Sequence, residues 1–220
     1  MPGRAVATLS LAVGVALALA ACEPSHPARQ LDLDAIRVSG GARMRTDVVG
    51  DGAFADTATF VLVDAENTAA EGAYVTLAGV LKDAAGATVG ALKLQSLWVP
   101  ARESRTFALV DDQRMARPTA AAARITVSGA LIPSEPPRAQ IAELHAFDDR
   151  GKTVVAAYVV NAADRPGQAM VIGAFHDASG EPMTRPFQMI ELAAHGRRIV
   201  QFVGPPGSTR GTIFVGDVIY

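Results

Sequence analysis

Through most of this chain apolar and polar residues follow the short period of β-strands, and one early stretch departs from it altogether. Residues 5–21 form an almost uncharged run rich in Ala, Val and Leu, preceded by Arg4. The run is too short and too small-residued for a spanning helix, which needs about 20 apolar residues. A basic start, an apolar middle and small residues at the end predict a secretory signal over 1–21. Glu23 to Gln30 is polar, carries Pro24 and Pro27 and shows no apolar period, so residues 22–30 read as a tether. Beyond it, Tyr74–Leu81 and Met170–Phe175 are rich in β-branched and aromatic residues, and Leu92-Lys93-Leu94-Gln95 alternates as a half-buried strand does. Asp83–Gly86, Asp148–Gly151 and Asp177–Gly180 predict hairpin turns, because Asp folds back on its own backbone and Gly accepts positive φ. Met115–Arg124 forms at most a short helical turn, given Pro118 and its brevity.

Pro133, Pro136 and Pro137 interrupt the strand pattern, since proline cannot donate to a sheet ladder. The two sides of this break match. Phe60–Asn67 and Val154–Asn161 are apolar runs ending in Asn, offset by 94, and Gly79–Gly86 matches Gly173–Gly180 at the same offset. Trp98 then corresponds to Leu192, and Thr106–Val110 to Val200–Val203 within one residue. Both sides close on alternating runs, Arg124–Gly129 and Thr212–Asp217. Shared landmarks at one spacing predict a tandem duplication. The expectation is an all-β chain with two tandem β-sandwich domains, residues 31–133 and 138–220, joined by a Pro-rich linker at 134–137.

Two resemblances add to this. Leu19-Ala20-Ala21-Cys22 resembles the lipobox of bacterial lipoproteins. It implies cleavage before Cys22, the chain's sole cysteine, and acylation of its sulfur and new amino group. Family patterns at the residue after the anchor, here Glu23, imply the outer membrane, facing the periplasm, if the cell has two membranes. The order of Asn-ending strand, Asp-x-x-Gly turn, Phe-bearing strand and alternating closing strand resembles FxLYD-type, immunoglobulin-like domains of exported bacterial proteins. That resemblance spans most of 54–132 and 147–220. It implies an accessory or interaction module and brings no catalytic residue with it.

Loss of the signal leaves 19 basic against 22 acidic residues, a formal charge of −3. This is too weak to expect nucleic acid as a partner. Aromatics are only 5% of the chain, which disfavours extended stacking surfaces. With Cys22 acylated no thiol remains, so the core alone must hold the fold. His26, His145, His176 and His195 lack zinc spacing and read as surface or turn residues. Asp111-Asp112 and Asp148-Asp149 are adjacent, so strand geometry turns their side chains apart. Ser104 and Ser208 lack a nucleophile elbow. Arg102–Arg105 and Arg197-Arg198 fall at equivalent strand starts; Trp98 and Tyr220 are candidate exposed binding aromatics, but Trp98 aligns with Leu192 and reads rather as a core or edge residue. No cofactor, metal or catalytic residue is expected. The leading expectation is a lipid-anchored, non-catalytic binding or scaffold module of the cell envelope, with a membrane contact at Cys22 and a protein partner. The alternatives are a β-sandwich that holds a small ligand or glycan in a cleft, and an envelope hydrolase without a recognisable motif.

Overall fold

The computed structural model describes residues 27–50 and 52–219; the signal sequence, Cys22, His26 and Tyr220 lie outside the described residues. The first half runs β1 (Arg29–Gln30), β2 (Ile36–Val38), β3 (Arg43–Val49), β4 (Asp56–Asn67), β5 (Ala73–Lys82), β6 (Thr88–Val99), β7 (Ser104–Val110) and β8 (Ala122–Ile132). The second runs β9 (Ala139–Asp149), β10 (Lys152–Asn161), β11 (Gly167–His176), β12 (Pro182–Thr184), β13 (Phe187–Leu192), β14 (Arg197–Pro206) and β15 (Arg210–Ile219). Among the described residues the helical elements are single 3-10 turns at Leu33–Ala35 and Gly52–Phe54. The Ala-rich stretch before Arg124 turns briefly and enters β8, because strand pairing with β5 overrides its helix propensity.

Each half stacks two antiparallel sheets. In the first, β4 lies between β7 and the successive strands β2 and β3, and the facing sheet has the order β1-β8-β5-β6. In the second, the orders are β14-β10-β9 and β15-β11-β13, with β12 beside β11. Every one of these pairings stays within one half. The chain is therefore an all-β protein of two tandem β-sandwiches. Arg29 and Gln30 pair with Ile132 and Leu131, so the last two residues of the expected tether belong to the sheet. Edge backbone on β8 captures them.

Alternation decides which face is buried. On β4, Val61, Val63 and Ala65 point inward and meet Val75, Leu77 and Leu81 of β5, Leu97 and Val99 of β6, and Phe107 and Leu109 of β7. The second core gathers Val155, Ala157 and Val159 with Val171, Phe175, Ile190, Leu192, Val200 and Phe202. Each fully buried Val, Leu or Phe contributes roughly 1.5–3 kcal/mol.

The duplication extends to hydrogen bonds. Asn67 Nδ2 donates to the Glu71 and Val99 carbonyls while its Oδ1 accepts from Ala69 N. Asn161 does the same with Arg165, Ala193 and Ala163. Asp83 accepts from Ala85 N and Ala87 N, as Asp177 does from Ser179 N and Glu181 N. A register shift falls between Thr76 and Leu77 and again between Met170 and Val171. One expected correspondence moves by a residue. Val99 lies opposite Ala73 and Leu192 opposite Gly167, so Leu192 matches Val99, whereas Trp98 matches Glu191.

Candidate binding cleft at the joint

From Ile172 onward the outward face of β11 does not meet solvent. Ile172 and Ala174, with Phe214 of β15, pack into the first half's apolar cluster. Polar contacts surround this plug. His176 Nε2 lies 2.9 Å from Asp64 Oδ2, and Thr106 Oγ1 donates to Asp64 Oδ1 at 2.5 Å. Burial opposes ionisation of Asp64, but the His176 and Thr106 hydrogen bonds outweigh it and hold the carboxyl below its ordinary range. Arg43 bridges Asp177 and Glu181, 2.7 Å from each. The Ser179 hydroxyl first, then backbone N–H groups and Arg43, bring the Asp177 carboxyl down to about 2. Arg185 donates to the Thr106 carbonyl at 2.8 Å, and burial lowers its guanidinium to about 10. Arg185 and Arg105 lie 5.7 and 5.4 Å from the Phe214 ring centre. Contacts of this kind contribute about 0.5–2 kcal/mol.

With the halves fixed this way, a cleft of about 1050 Å³ opens at the joint. Tyr74 and Trp98 form one wall. They are cross-strand partners on β5 and β6, and both point away from the core because their neighbours Val75 and Leu97 point into it. Their rings meet edge-on, with centres 5.4 Å apart at 60°. Gly72 seats the indole: a Cβ there would fall 2.3 Å from a Trp98 ring carbon. Pro133, Pro136 and Pro137, with Ala139–Ile141 and Leu144 of β9, close a second side, and Thr212–Val218 of β15 form the third. Seven consecutive residues lining one cavity present a strand's edge, since a face would contribute only alternate ones. Glu103 pairs with Arg105, and Glu135 with Arg138, at 2.7 and 2.8 Å. Groups of this kind can bind and orient a ligand.

The expected candidates fall in different places. Trp98 is neither core nor bare edge: it is a half-buried wall of the cleft. His176 is not a surface residue; at 4% exposure it is part of the joint. His145 is exposed on β9, and His195 sits in a turn 2.9 Å from Asp164. Asp111 is buried and held by Arg117 at 2.7 Å, and burial is outweighed by that contact, so its carboxyl also lies below the ordinary range. Asp148 and Asp149 lead into the tight β9–β10 turn, where Arg150 and Gly151 both take positive φ. Ser208 binds Thr153 through its hydroxyl and carbonyl, and Ser104 donates to the Ala65 carbonyl. Arg197 stacks on Tyr158, 3.7 Å from the ring centre. Among the described residues no three His, Cys, Asp or Glu side chains gather as metal ligands would. Sequence reasoning missed Tyr74, Asp64, Arg185 and Phe214. Strand parity alone marks Tyr74 and Trp98 as outward; nothing local marks the others.

No known protein-family profile matches the chain, and no curated protein matches it. Among solved structures, the N-terminal CBM22-1–CBM22-2 tandem domain of Paenibacillus barcinonensis Xyn10C is similar at 8% identity and a TM-score of 0.15, covering 84% of this chain and 86% of that one. A likeness that slight carries no argument about fold or function.

Proposed function

We propose that this protein is a lipid-anchored, non-catalytic binding module of the cell envelope, whose cleft at the joint receives its partner. The observation that carries this reading is the cleft itself, walled by Tyr74 and Trp98 and held open by the buried Ile172–Ala174–Phe214 plug. Pockets that bind ligands are concave, partly aromatic and largely pre-formed. The lipobox supports acylation at Cys22, with Glu23 pointing to an outer membrane facing the periplasm. Residues 22–28 then span at most about 25 Å, at roughly 3.3–3.6 Å per residue, so the body stays near the bilayer. Two acyl chains anchor stably where one holds only marginally.

Trp98 is the only tryptophan, so its fluorescence reports on the cleft. Membrane extract passed over the mature protein should yield a partner that shifts this emission, and Trp98→Ala should weaken its capture at least tenfold. A partner indifferent to Trp98→Ala would remove the cleft from the function. Cys22→Ala should release the chain from membranes or leave it uncleaved; a variant that still needs detergent as a mature protein refutes the anchor. A second reading, capture of a glycan, draws on the aromatic wall and on a volume well above the ~300 Å³ a small-ligand site needs. Saturable quenching of Trp98 by an oligosaccharide panel would favour it.

A further inference from the structure

We propose that the cleft recognises an extended peptide, which adds as a new strand to the outer edge of β15. This rests on the binding reading above and names the chemistry of the partner. β15 pairs with β11 on one side only, so along Thr212–Val215, and again beyond the bulge at Gly216, alternate residues turn their N–H and C=O groups into the cleft. Such an edge is a template for another strand. The joint prolines Pro133, Pro136 and Pro137 have no N–H to offer it, and β9, which packs beside β15 and lines the same cleft, pairs with β10 and not with β15. The first half shows that such an edge can take a strand: at the end of β8, the counterpart of β15, Leu131 and Ile132 pair with Gln30 and Arg29, and Leu131 matches Ile219 by its place opposite Tyr74 as Ile219 is opposite Gln168.

Charge selects the kind of peptide. Arg105 and Arg138 are already neutralised by Glu103 and Glu135. Asp217 is exposed on the edge itself and, among the described residues, has no cation within ion-pair distance. Asp164 and Arg165 also line the cleft, and His195 sits 2.9 Å from Asp164, so Asp217 is the acidic group left to select a ligand. The fitting ligand is therefore a strand carrying a basic residue opposite Asp217 and an aromatic or aliphatic residue that reaches Tyr74 and Trp98. Side chains on one face of a strand recur every second position, so these two anchors stand an even number of residues apart.

A random decapeptide library panned on the immobilised mature protein tests this. Enriched peptides should carry the basic and apolar residues at even spacing. They should bind Trp98→Ala and Asp217→Lys at least tenfold more weakly, and slow amide exchange at alternate positions of 212–215 at least tenfold. The exchange pattern separates a paired strand from a ligand that merely fills the cleft. Failure of any peptide to enrich over the Trp98→Ala, Asp217→Lys double variant overturns the proposal, as does enrichment of peptides that leave the β15 amides unprotected. If the membrane-derived partner still depends on Trp98 in either case, the binding reading survives and only the strand addition falls.

Discussion

Replacing Asn67 by Ala removes a side chain that is fully buried and makes three hydrogen bonds, two donated and one accepted. Each bond contributes about 1 kcal/mol net, and a buried group left without a partner costs about 1–3 kcal/mol. The Val99 carbonyl, bonded to Asn67 in a buried setting, is the group most exposed to that penalty. The expected loss is therefore about 3–5 kcal/mol. Asn161→Ala removes the equivalent three bonds and should cost a similar amount. Asn67→Asp keeps the bond from Ala69 N but sets an oxygen against the Glu71 and Val99 carbonyls. That carboxyl would ionise less readily folded than unfolded. Its folded pKa lies above the unfolded one, so the variant is least destabilised below about pH 4 and loses stability as pH rises. Urea unfolding followed by circular dichroism measures all three. With a slope of about 2–3 kcal/mol/M, the alanine midpoints should fall by roughly 1–2.5 M. A loss below about 1 kcal/mol for Asn67→Ala, or an effect in one half without the other, would refute the view that both residues clamp duplicated strand ends.

Three further outcomes follow from the joint and the cleft. Asp64 and Asp177 both ionise more readily in the folded protein, Asp177 with a value of about 2, so their stabilisation is present above about pH 4 and is lost as pH falls toward 2. Asp64→Asn should flatten the acid limb of a stability–pH profile, and an unchanged limb would count against the His176–Asp64 contact. Gly72→Ala forces the Trp98 indole from its seat and should shift the emission maximum with little change in secondary structure; an unshifted spectrum would contradict the 2.3 Å approach. Chains ending at Ser134 or starting at Pro137 should each unfold cooperatively, because all strand pairs lie within a half, but at lower urea than the intact protein. The second should self-associate through Ile172, Ala174 and Phe214, and molten halves would instead show interleaved sandwiches.

The β-character, the duplication and the turns were legible because they are local. Val61, Val63 and Ala65 alternate with polar or outward neighbours, Asp83 and Asp177 fold onto backbone a few residues away, and Asn67 and Asn161 close loops of short reach. Even the slip between Trp98 and Leu192 has a local cause: equal sequence spacing does not fix register where the second half breaks its strand into β12 and β13.

What a single sequence determined, then, is strand content, the repeat, the turn chemistry and the motif at Cys22, each set by residues within a few positions of one another. How the halves meet was decided only by tertiary structure. His176 reads as a turn residue until folding brings Asp64 beside it from 112 positions away. Ile172, Ala174 and Phe214 read as ordinary strand residues until their outward face enters the neighbouring core. The cleft depends on both, because its walls come from β5, β6, the prolines, β9 and β15, which no local pattern places together.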